Sequence, residues 1–368
     1  MVTVLDNTTI VKKVDRRNML GDMVKTPNYC RDAIERAEQV KVPSEIIPKN
    51  IVVIGMGGSA IGGEILHDWL RDTLPIPIEV CRDYTLPAYV NGDTLVFANS
   101  YSGNTEETLT AFLEALKRKS TIISVTSGGQ LVEFCKKTNI PYVRIPKGLQ
   151  PRAALPYLFF PFPILMQKMG IISNVETELT EAIFIIENVV KANAPELPTA
   201  NNRAKQIAEN INETIPVIYG FRQYNSVAHR LKTQFNENSK LPSKFDAFPE
   251  LNHNETVGYE APEALNKKHS VIIIRDPQEP AEIKSRIETT KTLVLTRANK
   301  TLEIIAEGKG KLAKMFSVLV TGDYASIYLA ILQNKDPSPV KIIDKVKSEL
   351  AKKSGMKQIF ETELAKLQ

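Results

Sequence analysis

Two stretches in the first half of the chain carry residue types suited to holding a phosphate. Gly55-Met56-Gly57-Gly58-Ser59-Ala60-Ile61-Gly62-Gly63 follows an apolar run and opens a segment of helical periodicity. Glycines let the backbone approach an anion closely, and the free amides at the positive end of a helix favour negative charge. About forty positions on, Ser100-Tyr101-Ser102-Gly103-Asn104-Thr105-Glu106-Glu107-Thr108 places the hydroxyls of Ser100, Ser102 and Thr105 within one turn, with no lysine beside them. That cluster suits a phosphate monoester that is held and not cleaved. An ordinary surface cap explains one hydroxyl, not three, and Thr105 is expected to cap the next helix. A dinucleotide site fits poorly. With Gly55 and Gly57 as the first glycines, Ala60 stands where GxGxxG needs its third, and the acid Glu79 lies inside the next strand.

Other chemistries find little support. Cys30, Cys81 and Cys135 are more than fifty positions apart, which leaves no CxxC pair and no disulfide framework, and they read as buried thiols. His67, His229, His253 and His269 form no HxH or HxxxH pair, so no metal site is expected. Forty-seven Lys and Arg against 42 Asp and Glu give a net charge of +5 over 368 residues, without a block of like charges, and nucleic acid is not an expected partner. The apolar stretch Leu155–Met166 is too short and too proline-rich to cross a membrane, and the first 25 residues lack the apolar core of a signal peptide. The expected location is the cytoplasm.

The elements that must position these turns alternate between short β-branched runs and longer amphipathic ones. Strands are expected at 51–54, 78–81, 94–98, 121–125 and 142–145, with helices opening near Ser59 and at Glu106. Continuous apolar strands separated by helices imply a parallel sheet covered on both faces. A mostly helical stretch, 152–211, leads to a second series with strands at 216–220, 270–275, 292–296 and 302–306, and helices at 225–236, 311–333 and 340–352. The fold class is therefore α/β, two such layers in tandem. The expected boundaries are an N-terminal helical arm at 1–45, a first domain at 46–175, a helical connection at 176–212 and a second domain at 213–368.

GMGGSAIGG, SYSGNTEET and the Gly128-Gly129 turn resemble the sugar isomerase (SIS) domain, a flavodoxin-like fold that binds phosphosugars. Pro151-Arg152-Ala153-Ala154-Leu155-Pro156, Phe235-Asn236-Glu237-Asn238 and Pro249-Glu250-Leu251-Asn252-His253-Asn254 narrow the resemblance to the bifunctional phosphoglucose/phosphomannose isomerases, built of two tandem SIS domains. The resemblance runs from about residue 50 to the end of the chain. It implies a phosphate site at the amide of Gly58 and the hydroxyls of Ser59, Ser100, Ser102 and Thr105. It further implies Arg152 beside the reacting carbons, Glu237 as catalytic base, His253 in ring opening and Lys347 on the last helix, with Lys341 and Lys345 close by. The family is dimeric, so a homodimer is implied, with His253 reaching the other subunit's site.

The chemistry is consistent with these types. Aldose–ketose isomerisation moves a proton between C2 and C1 through a cis-enediol, so one carboxylate that takes and returns it suffices. Glu237, at the end of an apolar-faced helix between two asparagines, can do so. Ring opening wants a donor to the ring oxygen and an acceptor from the C1 hydroxyl, shared by His253 and Lys347. A guanidinium, Arg152, stabilises the growing enediolate charge. The route needs no metal and no cofactor. Glu250 and Glu255 flank His253 as alternative carboxylates. In this family mannose 6-phosphate is accepted where a small hydroxyl residue, and not glutamine, precedes the C-terminal lysine. The ungapped match here is Val340, with a hydroxyl at Ser338. The competing readings are a non-catalytic phosphosugar-binding SIS protein and the isomerase half of glucosamine 6-phosphate synthase. The second would carry a glutaminase domain with a leading cysteine, and residue 2 is Val2.

Overall fold

Strands β1 (Asn50–Ile54), β2 (Ile78–Cys81), β3 (Thr94–Ser100), β4 (Thr121–Thr126) and β5 (Tyr142–Arg144) form one sheet in the order β2-β1-β3-β4-β5. The computed structural model describes residues 3–366. All pairs are parallel, and Ile51 pairs with Ile78 on one side and Leu95 on the other. Every residue of β3 is buried, as the centre of a sheet covered on both faces requires. The chain order reverses between β1 and β3, so the crevice outside their carboxyl ends is where a doubly wound sheet takes its ligand. The glycine turn and the hydroxyl turn are the two loops that leave this crevice. Helices α1 (Gly58–Leu70) and α2 (Glu106–Lys117) begin there, and α3 (Gly129–Thr138) begins beside them after β4.

The second sheet runs β7-β6-β8-β9, from β6 (Ile215–Phe221), β7 (Lys244–Phe248), β8 (His269–Arg275) and β9 (Lys300–Ile305), again all parallel. Helices α4 (Arg203–Ile211), α5 (Asn225–Gln234), α6 (Ala281–Leu293) and α7 (Lys311–Leu332) accompany it, and α8 (Lys341–Ser354) and α9 (Met356–Lys366) follow. Helix α7 is long and apolar enough to cross a membrane, and 94% of its most apolar window is buried inside the protein as a core helix. Two expectations change. The strand expected at 292–296 is the end of α6 and a short turn, Leu295–Arg297. Thr290 and Thr292 donate their hydroxyls to the carbonyls of Arg286 and Glu288, which accommodates these β-branched residues in a helix. The short edge strand β7 was not expected, because Lys244 and Asp246 alternate with Phe245 and Ala247 and break the continuous apolar run that marks the other strands.

The chain folds as two compact units, and neither is one continuous stretch. One joins Met1–Pro27 to Glu176–Pro339, and the other joins Asn28–Val175 to Val340–Gln368. The terminal helices expected in the second domain therefore belong with the first sheet. Phe360 of α9, 3% exposed, enters the core formed by Leu131, Phe134 and Cys135 of α3 together with Val96 and Phe112. The N-terminal segment is fastened to the second sheet's unit by the buried Lys205 of α4. Its ammonium donates to the carbonyls of Leu5 (2.8 Å), Pro195 (2.9 Å) and Leu197 (2.7 Å) and pairs with Asp6. Burial pushes the Asp6 carboxyl up, but hydrogen bonds from Thr199 and the Lys205 charge outweigh it and hold the group below the usual range.

Replacing Lys205 with Met leaves these carbonyls without their donor and Asp6 without its counter-charge. The expected loss, read from urea unfolding, is about 3–5 kcal/mol.

Candidate active site

The first two turns are bound to each other at the carboxyl edge of the first sheet. The amide of Tyr101 donates to Ser59 Oγ at 3.1 Å, and the buried Asn99 donates through Nδ2 to the carbonyls of Ser59 (2.7 Å) and Leu158 (3.1 Å). Ser100 Oγ accepts the amide of Gly103 and lies 3.1 Å from Thr105 Oγ1. Ser102, exposed at the tip, accepts the amide of Asn104. Thr105 occupies the cap position of α2, as expected, but makes no side-chain cap bond, because its hydroxyl is turned to Ser100. Helix α1 likewise opens at Gly57 with no side chain on its first amides. Two adjacent helix N-termini thus lack side-chain caps, the condition for binding an anion by backbone N–H groups.

Arg152 is carried into the same crevice by a short helical turn, Pro151–Ala154, and is 2% exposed. A side chain at Gly58 would press on Pro151 O (3.0 Å) and Arg152 Cα (3.3 Å), so the glycine permits this close approach. Gly58, Ser59, Ser100, Thr105 and Arg152 are therefore neighbours around one edge. Lys347 belongs to the same unit but lies in a stretch of α8 that is exposed throughout, as are Lys341 and Lys345. Helix α3 is different, since its first turn receives Asn104 Oδ1 on the amide of Gln130 and the carbonyl of Gly103 on that of Leu131. Burial of Cys135 pushes its thiol up to about 11 and that of the fully buried Cys30 higher still, which leaves both unreactive.

The remaining candidates lie in the other unit. Glu237 is half-buried in a π-helical turn, Phe235–Ser239, that continues α5. Such turns recur at functional sites, because the extra residue redirects the side chains that follow. The flanking asparagines hold the turn: Asn236 donates to Leu241 O and Asn238 to Ser326 Oγ of α7, each at 2.8 Å. His253 is exposed at the end of a short helical turn, Glu250–His253, between two anchored residues. Asn252 donates to Thr290 Oγ1 (2.7 Å), and Asn254 donates to Glu250 Oε1 (2.8 Å). Glu255 accepts from Lys244 and, at 3.3 Å, from Tyr219, whose hydroxyl also contacts Tyr259. Burial pushes the Tyr219 hydroxyl far up and that of Tyr259 to about 12, so both stay neutral. Glu250 and Glu255 are both engaged in holding the histidine turn. Ser338 is buried.

Sequence reasoning passed over Asn99 and Asn104, which tie the loops together. Asn99 carried a signal, a lone amide at the end of a continuous apolar strand.

Residues 47–143 match the SIS domain, and residues 200–350 match the bacterial phospho-glucose isomerase C-terminal SIS domain. A bifunctional phosphoglucose/phosphomannose isomerase of Caldicellulosiruptor bescii is 42% identical over 90% of this chain and 99% of its own. The chain belongs to the bifunctional phosphoglucose/phosphomannose isomerase family. Also similar to this isomerase family member is a D-glucosamine-6-phosphate 4-epimerase of Sulfolobus acidocaldarius, 30% identical over 87% of this chain and 94% of its own. Among solved structures, a glucose-6-phosphate isomerase like protein from Thermus thermophilus superposes with a TM-score of 0.61 at 18% identity, covering 94% of this chain and 98% of that one. The C-terminal domain of a Francisella tularensis glucosamine-fructose-6-phosphate aminotransferase gives 0.61 at 17% identity, over 87% and 98%. The two-SIS fold is thus common to several phosphosugar enzymes, and the family assignment rests on the sequence.

Gly103 has φ of +69°, and a Cβ there would fall 1.7 Å from Gly128 O. Gly103→Ala is expected to lower stability by about 2–4 kcal/mol through overpacking and left-handed strain, read as a fall in the midpoint of thermal unfolding.

Proposed function

We propose that this protein interconverts glucose 6-phosphate, and also mannose 6-phosphate, with fructose 6-phosphate through a cis-enediol and without a metal. The observation that carries the reading is the pair of helix N-termini without side-chain caps, ringed by Ser59, Ser100 and Thr105 beside the buried Arg152. A phosphate dianion is favoured at the positive ends of these two helices, and Ser102 completes the hydroxyl set when the loop tip meets ligand. Arg152 supplies the fixed positive charge for the enediolate oxygens. Glu237 carries the proton between C2 and C1, and His253 and Lys347 divide the work of ring opening. The enzyme works in the cytoplasm, where charged sugar phosphates are retained.

The protein acts as a homodimer in which His253 serves the partner's site. The exposed position of the His253 ring supports this, as does α8, whose Ile342, Val346 and Leu350 form an exposed apolar stripe at helical spacing. The D-glucosamine-6-phosphate 4-epimerase relative favours a second reading, action on an amino sugar phosphate.

A coupled assay of the purified protein decides between them: turnover of both aldose phosphates is expected, unchanged after exhaustive EDTA treatment. Turnover of glucosamine 6-phosphate alone would overturn the isomerase reading. Glu237→Gln is expected to lower kcat by about 10²–10⁴-fold while fructose 6-phosphate still binds in calorimetry. Ser100→Ala is expected to raise KM about tenfold with a smaller effect on kcat. Mixing inactive Glu237→Gln and His253→Ala subunits should restore about a quarter of wild-type activity, since half the dimers are hybrids with one intact site. No recovery would place His253 in its own subunit's site.

A further inference from the structure

Helices α5 and α7 approach closely where Gly322 meets Leu231, since a Cβ on Gly322 would fall 2.4 Å from Leu231 Cγ. At that level Arg230 of α5 donates through Nη2 to Asp323 Oδ2 of α7 at 2.7 Å, with side chains 2% and 4% exposed. One turn further along α7, Ser326 Oγ donates to the Asp323 carbonyl (2.7 Å) and accepts Asn238 Nδ2 (2.8 Å), and Ser239 Oγ donates to Ser326 O (2.7 Å). A single turn of α7, Asp323 to Ser326, therefore grips the chain on both sides of Glu237: Arg230 before it, Asn238 and Ser239 after it. Lys240 closes the turn by donating to the carbonyls of Glu237, Asn238 and Pro337.

A buried ion pair is a poor way to gain stability, because desolvating two charges offsets most of their attraction, and an apolar pair would pack the same two helices. What an ion pair adds is direction. It fixes the rotation of α5 about its axis, and that rotation sets where a side chain seven residues on will point. A π-helical turn needs such support, since it is rare and less favourable than α-helix. We propose that Arg230, Asp323 and Ser326 are positioning residues for Glu237, holding the π-helical turn in the register that aims its carboxylate. This rests on the reading of Glu237 as the catalytic base.

The test uses the full-length protein with Arg230→Met and Asp323→Val together, which replaces the pair by apolar side chains and leaves no lone buried charge, and separately Ser326→Ala. Both variants are expected to keep the wild-type circular dichroism, and the double variant to keep the wild-type unfolding midpoint or exceed it. Amide hydrogen exchange over residues 235–240 is expected to accelerate by about tenfold or more while the rest of α7 stays protected. With glucose 6-phosphate, kcat is expected to fall by about 10–100-fold with KM within threefold, the signature of a misaimed base and intact substrate binding. Unchanged exchange at 235–240, or wild-type kcat in the folded double variant, would overturn the proposal. Exchange is measured without substrate, so it decides the clamp even if the wild-type protein turns over neither aldose phosphate, a result that would sink the functional reading instead.

Discussion

The first amides of α1 and α2 carry no side-chain cap, and the architecture of the first sheet's carboxyl edge follows from that. In α1 the amides of Ser59 and Ala60 turn back onto the carbonyls of Met56 and Gly57, and with no side chain over it the positive end of each helix presents a standing demand for negative charge. Here the residue best able to meet the demand, Thr105, is diverted to Ser100, and the glycines at 57 and 58 offer no side chain at all. The contrast with α3 is instructive. Its first turn is filled by Asn104 and Gly103, so the same sheet contains one helix start that receives a side chain from a neighbouring loop and two that receive none.

The other unit solves a different problem, that of holding a carboxylate on an irregular stretch of backbone. Glu237 sits in a turn that deviates from the α-helix, and its neighbours are committed to α7, to Leu241 and to Lys240. The histidine turn is built in the same manner, with both asparagines and both flanking glutamates occupied in the scaffold. In each case residues that look functional by type serve as supports for the one side chain between them.

Much of this is legible from residue order. The first sheet announces itself because strands buried on both faces read as unbroken apolar runs, and the glycine and hydroxyl turns follow those runs directly. The edge strand β7 does not, since Lys244 and Asp246 give it the look of a loop, and the Thr-rich end of α6 imitates a strand although its hydroxyls bond within the helix. For Thr105 the position is legible and the partner is not, because a cap and a cross-loop bond demand the same residue type. The Arg230–Asp323 pair leaves no mark in the sequence. Opposite charges 93 residues apart become a pair only when two helices are in contact.

The discontinuity of the two units bears on the order in which the protein can be made. The first sheet emerges early from the ribosome, yet part of its core, Phe360, is synthesised only after the whole of the second sheet. The segment before residue 28 must likewise wait for Lys205 before its carbonyls find a donor. The second sheet's unit therefore has its N-terminal segment and Lys205 in hand when its own strands emerge, whereas the first sheet's unit completes its core only when the last helix has been made.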